Sequence, residues 1–251
     1  MTARAFIYFI LNFTFFCKKS KMLTMITLEK RIPMIDEYLK NNCPLEVPGL
    51  LSLAIEKAYK QLNKTILTVP ILQKEEARKS YGYLRNAFVD VAIESVFSEL
   101  DHNYITETKK VNPNRNSYTY KLLKIPGAHI TPVKSQSKRS FPRKAIYRDK
   151  GSLLNYQISL FDDEQRNFNN DKVPFMLLTY GGVNYKLDYV MLGIPDFEDK
   201  KWIDLVSIKG KPILISNNKE TEINDKLNLS LTKKANQIRR NDNDSNGENT
   251  I

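Results

Sequence analysis

The spacing of apolar positions changes period about halfway along the chain. In VPGLLSLAIEKAYKQL, Leu51, Ile55, Ala58 and Leu62 recur at three- and four-residue steps. That spacing gathers them on one face of an α-helix, and Pro48 is tolerated in its first turn. LEKRIPMIDEYLK repeats the spacing with Ile32, Ile35 and Leu39, where Pro33 sits in the first turn or breaks the segment. A third helical stretch runs from Gln73 to Leu100. Its expected core stripe is Ala77, Tyr81, Leu84, Phe88, Val91 and Ser95, with Gly82 as a weak point.

Beyond Pro113 the period becomes two. SYTYKLLKI is extended in character, and Pro126-Gly127 marks a turn. LNYQISLF alternates Tyr156, Ile158 and Leu160 against Asn155, Gln157 and Ser159, as a half-buried strand does. VPFMLLTY, Gly181-Gly182 and VNYKLDYVML read as a hairpin, the first arm apolar throughout, the second alternating Tyr185, Leu187, Tyr189 and Met191 against Lys186 and Asp188. WIDLVSI and PILI add two short strands.

Helices followed by strands imply an α+β fold. About three N-terminal helices are expected to pack on a mainly antiparallel sheet of about five to six strands. One domain spans 25–215, helical over 25–106 and β-rich over 115–215, because the strands alone would need a cover. From Ser216 the composition shifts to Asn, Lys, Asp, Glu, Ser and Thr, NDNDSNGENT has almost no apolar content, and residues 216–251 are expected to form a disordered polar tail. Residues 1–24 hold the apolar run AFIYFILNFTFFC, shorter than the ~20 residues a spanning helix needs. They are expected to be an apolar appendage, or to precede a true start at Met22 or Met25; no stable membrane insertion is expected.

Charge changes this picture more than composition does. The net charge is +11, and it is concentrated. From Thr108 to Arg148 there are eleven cations and no acid in 41 residues, whereas the rest of the chain carries 28 of each sign. KSQSKRSFPRKAIYR alone carries six of the cations. A localised surplus points to a polyanionic partner rather than to solubility. The expected nucleic-acid contacts are Lys121, Lys124, Lys134, Lys138, Arg139, Arg143, Lys144 and Arg148, neutralising phosphates from a flexible arm or long loop. Phe141 and Tyr147 are positioned to stack on bases. The plainer alternative is a solvated loop with the tyrosines in the core.

Candidate chemistry is otherwise thin. Two cysteines, Cys17 and Cys43, and two histidines, His102 and His129, give neither a disulfide framework nor a metal-ligand spacing, and a reducing cytoplasm is the expected compartment. No P-loop, paired-glycine nucleotide fingerprint or nucleophile elbow is present. Asp188, Asp196 and Asp204 lie close in sequence and would be the metal ligands of a metal-dependent nuclease, but the acid-x-lysine on the following strand is replaced by Ser207-Ile208-Lys209. Asp90 and Glu94 stand one helical turn apart, a nonspecific pairing. The connection between the second and third helices is too long for a helix-turn-helix. The expectation is therefore a non-enzymatic nucleic-acid-binding accessory protein that needs no cofactor. Its alternatives are a regulator or inhibitor module that docks on an acidic protein, and the nuclease.

Overall fold

A computed structural model describes residues 35–100, 103–112, 118–157, 167–168, 173–196 and 198–213. Expectations for residues 1–34, for His102 and for the tail from 214 onward lie outside the described residues. Three helices come first: α1 (Ile35–Asn42), α2 (Val47–Thr68) and α3 (Tyr81–Ser98), with two 3₁₀ turns joining α2 to α3. Strands β1 (Ile105–Lys110), β2 (Thr119–Ile125) and β3 (Ala128–Lys134) follow as a meander. A crossover then carries a short helix, α4 (Ile146–Ser152), and a two-residue pair, β4 (Tyr156–Gln157) with β5 (Asn167–Phe168). The chain finishes as a second meander, β6 (Phe175–Gly181), β7 (Tyr189–Asp196) and β8 (Lys201–Ser207).

The large sheet has the order β1-β2-β3-β6-β7-β8. Four of its pairings are antiparallel, and β3 joins β6 in parallel. The α+β architecture thus holds, with one parallel seam where two meanders meet. Helices α1–α3 cover one face. Leu51, Ile55, Ala58 and Leu62 are all buried, as their spacing requires, and they share a core with Leu123, Ile130, Met176, Leu178, Val190 and Leu192 from the sheet. Each fully buried Leu, Ile or Val contributes about 1.5–3 kcal/mol relative to exposure. On the opposite face Leu122, Phe175 and Leu177 form a smaller core with Phe141 and Trp202. Asn155 fixes the crossover there: its side-chain amide donates to the Phe175 carbonyl at 3.0 Å and accepts from the Phe175 amide at 2.7 Å. No helix among the described residues is long and apolar enough to cross a membrane.

Three local expectations need correction. The third helix begins at Tyr81, and residues 75–80 form a 3₁₀ turn, so Ala77 stands outside the α-helix. Its buried residues are Tyr81, Val89, Ala92, Ile93, Ser95, Val96 and Phe97, so Tyr81 and Ser95 hold as expected, while Leu84, Phe88 and Val91 are half-buried. The hairpin tip is not Gly181-Gly182 but Asn184-Tyr185, both at positive φ (50° and 59°). The Lys186 amide closes that turn onto the Val183 carbonyl at 3.0 Å. Gly182 is needed for approach, since a Cβ there would meet the Lys186 carbonyl oxygen. Strand β7 does not alternate; all eight of its residues are buried, as befits an inner strand covered on both faces. Of the two remaining strand segments, Pro212 and Ile213 lie outside any strand, and only Tyr156–Gln157 of the other is described as one.

Two glycines give opposite expectations. A Cβ on Gly151 would strike the Phe175 ring at 2.7 Å, so Gly151→Ala should lower the unfolding free energy by about 1–3 kcal/mol. Gly82 has open space around its Cβ position, and Gly82→Ala should raise stability by about 0.4–1 kcal/mol. Urea denaturation of both variants checks the pair, and equal signs would contradict the packing of α4 on β6.

Candidate nucleic-acid interface

The site originates in a proline. The His129 amide donates to Pro174 and the Ser135 amide to Tyr180, so odd-numbered donors of β3 face β6. Even positions face β2, and Pro132, at an even position, has no N–H to give. Pairing of β3 with β2 accordingly stops at Leu123–Ile130, whereas pairing with β6 continues to Lys134–Tyr180. Strand β1 keeps its register with β2 out to Lys110–Thr119. The sheet therefore splays into two halves, and a cavity of about 580 Å³ occupies the gap.

Four stretches of chain wall it. The start of β2 supplies Tyr118, Tyr120 and Lys121, and the end of β3 supplies Lys134 and Ser135. Helix α3 contributes Arg85, Asn86 and Asp90 from one side, and the crossover contributes Phe141, Arg143, Tyr147 and Arg148 from the other. Five cations thus face one cavity with a single carboxylate, Asp90, in its lining. Burial and the nearby charges of Arg85 and Arg143 depress the Lys134 ammonium below its ordinary range. The three cations are close enough to repel one another.

Arg148 is 8% exposed, and its Nε has no hydrogen-bond partner. Its guanidinium carbon lies 5.1 Å from the centroid of the Tyr147 ring, which is itself stacked on Tyr120 at 4.2 Å and 14°. The aromatic pair forms a floor that holds the guanidinium in place. Burial pushes the Tyr59 phenol up, the nearby charge of Arg85 pulls it down, and the Arg85 Nε is likewise buried without a partner. Lys121, 6% exposed, is bonded to Glu94 at 2.7 Å and to Thr108 at 3.0 Å. Burial pushes the Asp90 carboxyl up to about 6; Lys121 pulls it down and Glu94 adds to the rise. Among the described residues Arg85, Lys134, Arg143 and Arg148 make no ion pair. Buried or crowded cations without carboxylates are costly, and a bound anion would relieve that cost.

The remaining expected contacts go elsewhere. Lys124 pairs with Glu107 at 2.5 Å, sharing it with Lys109 at 3.2 Å, and Lys144 lies 3.6 Å from Asp149. Lys138 and Arg139 are exposed on a turn closed by the Ser140 amide on the Ser137 carbonyl, outside the cavity lining. Nor is 134–148 a free arm. Trp202 Nε1 donates to the Arg139 carbonyl at 3.2 Å, Phe141 packs on Trp202, and Pro142 is buried. Tyr147 carries Tyr120 stacked on its ring and the Arg148 guanidinium 5.1 Å from its centroid, so both contacts occupy the ring expected to meet bases.

The three candidate nuclease acids do not meet. Asp188 and Asp196 flank β7 at opposite ends, about 26 Å apart at strand rise. Asp196 accepts from the Glu198 and Asp199 amides in a turn, and Asp204 accepts from the Ile35 amide at 2.7 Å, at the start of α1. No cluster of three or more metal-ligating side chains exists among the described residues. His129 is half-buried in β3, and burial followed by Lys124 lowers its proton affinity. The residue that sequence reading missed is Arg85. Its signal was present: Arg85 and Asn86 interrupt the seam between Tyr81 and Val89, where α3 leaves the core and turns toward the cavity. Comparisons of the chain with protein-family models, with curated proteins and with solved structures returned no match.

Proposed function

We propose that this protein binds nucleic acid, admitting phosphates of a single strand into the cleft between β2 and β3. The observation that supports it is the meeting of Arg85, Lys134, Arg143 and Arg148 around one cavity, none of them ion-paired among the described residues. Guanidinium forks suit phosphate oxygens in pairs, and a lysine at the mouth supplies a point charge. The volume falls within the ~300–1,000 Å³ of pockets that enclose drug-sized ligands, a range that includes a nucleotide, and the recess lies between strands where a duplex does not fit. An acidic protein partner would meet the same cations, and polyglutamate serves as its stand-in as a competitor. Lys138 and Arg139, exposed on the adjoining turn, extend the positive surface along which the strand would leave.

Binding of a short labelled single strand, followed by fluorescence anisotropy against salt, tests this reading. Neutralising about four phosphates gives log affinity against log salt a slope of about −3, and removing one cation, as in Lys134→Met or Arg143→Met, flattens it by about 0.7 whatever the sequence. A flat salt response, or displacement by polyglutamate as readily as by a second strand, would remove the proposal.

The cleft also predicts a pH response. Ionisation of Asp90 as pH rises through about 6 adds a negative charge beside the phosphates. A strand without terminal phosphates does not itself titrate there, so its affinity should fall between pH 5 and 7.5, and Asp90→Asn should abolish the fall. The same carboxyl is raised from 3.8, so the unfolded chain ionises it first and stability declines as pH climbs from about 4 to about 6. Thermal unfolding should show Asp90→Asn gaining on the parent protein at pH 7.5 and matching it more closely at pH 4.

A further inference from the structure

The cleft narrows inward, and its charge exceeds what an internal phosphodiester needs. Strands β2 and β3 converge at the Leu123–Ile130 pair, and α3 and the crossover with α4 line the gap between them. The end of a strand suits a narrowing V better than an internal segment, which would have to turn back on itself. Four cations free of carboxylates line the space, and one of them, Arg148, is nine-tenths buried with an unpartnered Nε. An internal phosphodiester brings one negative charge. A phosphate monoester brings about −1.5 to −2 and three acceptor oxygens, enough to accept from Arg148 and from Arg143 or Lys134 at once.

We infer that the cleft is a phosphomonoester site, specific for the phosphorylated terminus of a nucleic-acid strand. Arg148 anchors the terminal phosphate on its aromatic floor, Arg85 faces it from α3, and Arg143 and Lys134 close on it from the mouth. Tyr118, exposed beside the β2 wall and in edge contact with Tyr147, is placed to meet the first nucleoside. This inference rests on the nucleic-acid reading for its ligand, but the phosphate chemistry is shared by free mononucleotides, which the test separates.

Three strands of one sequence are compared by anisotropy with the full chain: 5′-phosphorylated, 3′-phosphorylated and unphosphorylated, each labelled at the other end. Nucleoside monophosphates and the corresponding nucleosides serve as competitors. One phosphorylated end should bind about tenfold tighter than the bare strand, as a charge-assisted fork on a dianion implies. Arg148→Met should cut that preference to within about twofold, weakening the phosphorylated strand several-fold more than the bare one. Arg143→Met, at an exposed position, should reduce the preference in the same direction and decides the matter if the buried variant fails to fold. Equal affinity for all three strands overturns the inference and leaves nucleic-acid binding standing. Binding of monophosphates but of no strand overturns the nucleic-acid reading and, with it, the specificity for a strand terminus, leaving a mononucleotide site. Binding of neither overturns both.

Discussion

A strand with a proline near its centre can complete its ladder on one side only, and the candidate site of this protein depends on which side that is. Pro132 points its missing donor at β2, so the parallel seam with β6 survives to Lys134 and the antiparallel seam with β2 ends at Ile130, four residues earlier. Had the proline stood one position away, at Thr131 or Val133, it would have cut the join between the two meanders. At position 132 it opens the first meander and leaves the second intact. The cost is a few ladder hydrogen bonds, and the consequence is a recess that a continuous sheet cannot offer.

That recess explains how charge distant along the chain becomes charge close in space. Lys121 lies in β2 and Lys134 ends β3, so the hairpin returns one to the neighbourhood of the other. The crossover then folds Arg143 and Arg148 back over the same gap, pinned by Trp202 on the Arg139 carbonyl and by Asn155 on the Phe175 backbone. Mutual repulsion among these groups opposes folding, and the protein meets it by selective pairing. Glu94 neutralises Lys121 and Glu107 neutralises Lys124 and Lys109, while the cations deepest in or nearest the mouth of the cleft keep no such partner. Pairing everywhere would have given a quieter surface and no site.

The sequence made the architecture legible wherever one face of an element meets one core. The α2 stripe, the β2–β3 turn and the apolar β6 arm follow directly from period and turn chemistry. It misled where an element has two neighbours. β7 is buried on both faces, so alternation carried no information about it, and α3 divides its faces between core and cleft, which moved the true seam away from Leu84, Phe88 and Val91. The site was half legible for the same reason. A basic, acid-free segment can be counted along a chain, but which of its members converge depends on register. Lys121, Lys134, Arg143 and Arg148 meet, while Lys124 and Lys144 are held by acids, and nothing in local composition distinguishes the two groups.

Asp90 sets the balance of charge in the cleft. It is the one carboxylate in the lining, and burial holds its proton affinity near 6 despite the pull of Lys121. Glu94 pairs with Lys121 at the wall, so that cation is answered within the fold. Arg85, Lys134, Arg143 and Arg148 have no ion pair among the described residues, and below a pH of about 6 Asp90 itself is protonated. An anion entering the cleft would meet the most uncompensated charge below that pH, and above it would compete with the one carboxylate of the lining.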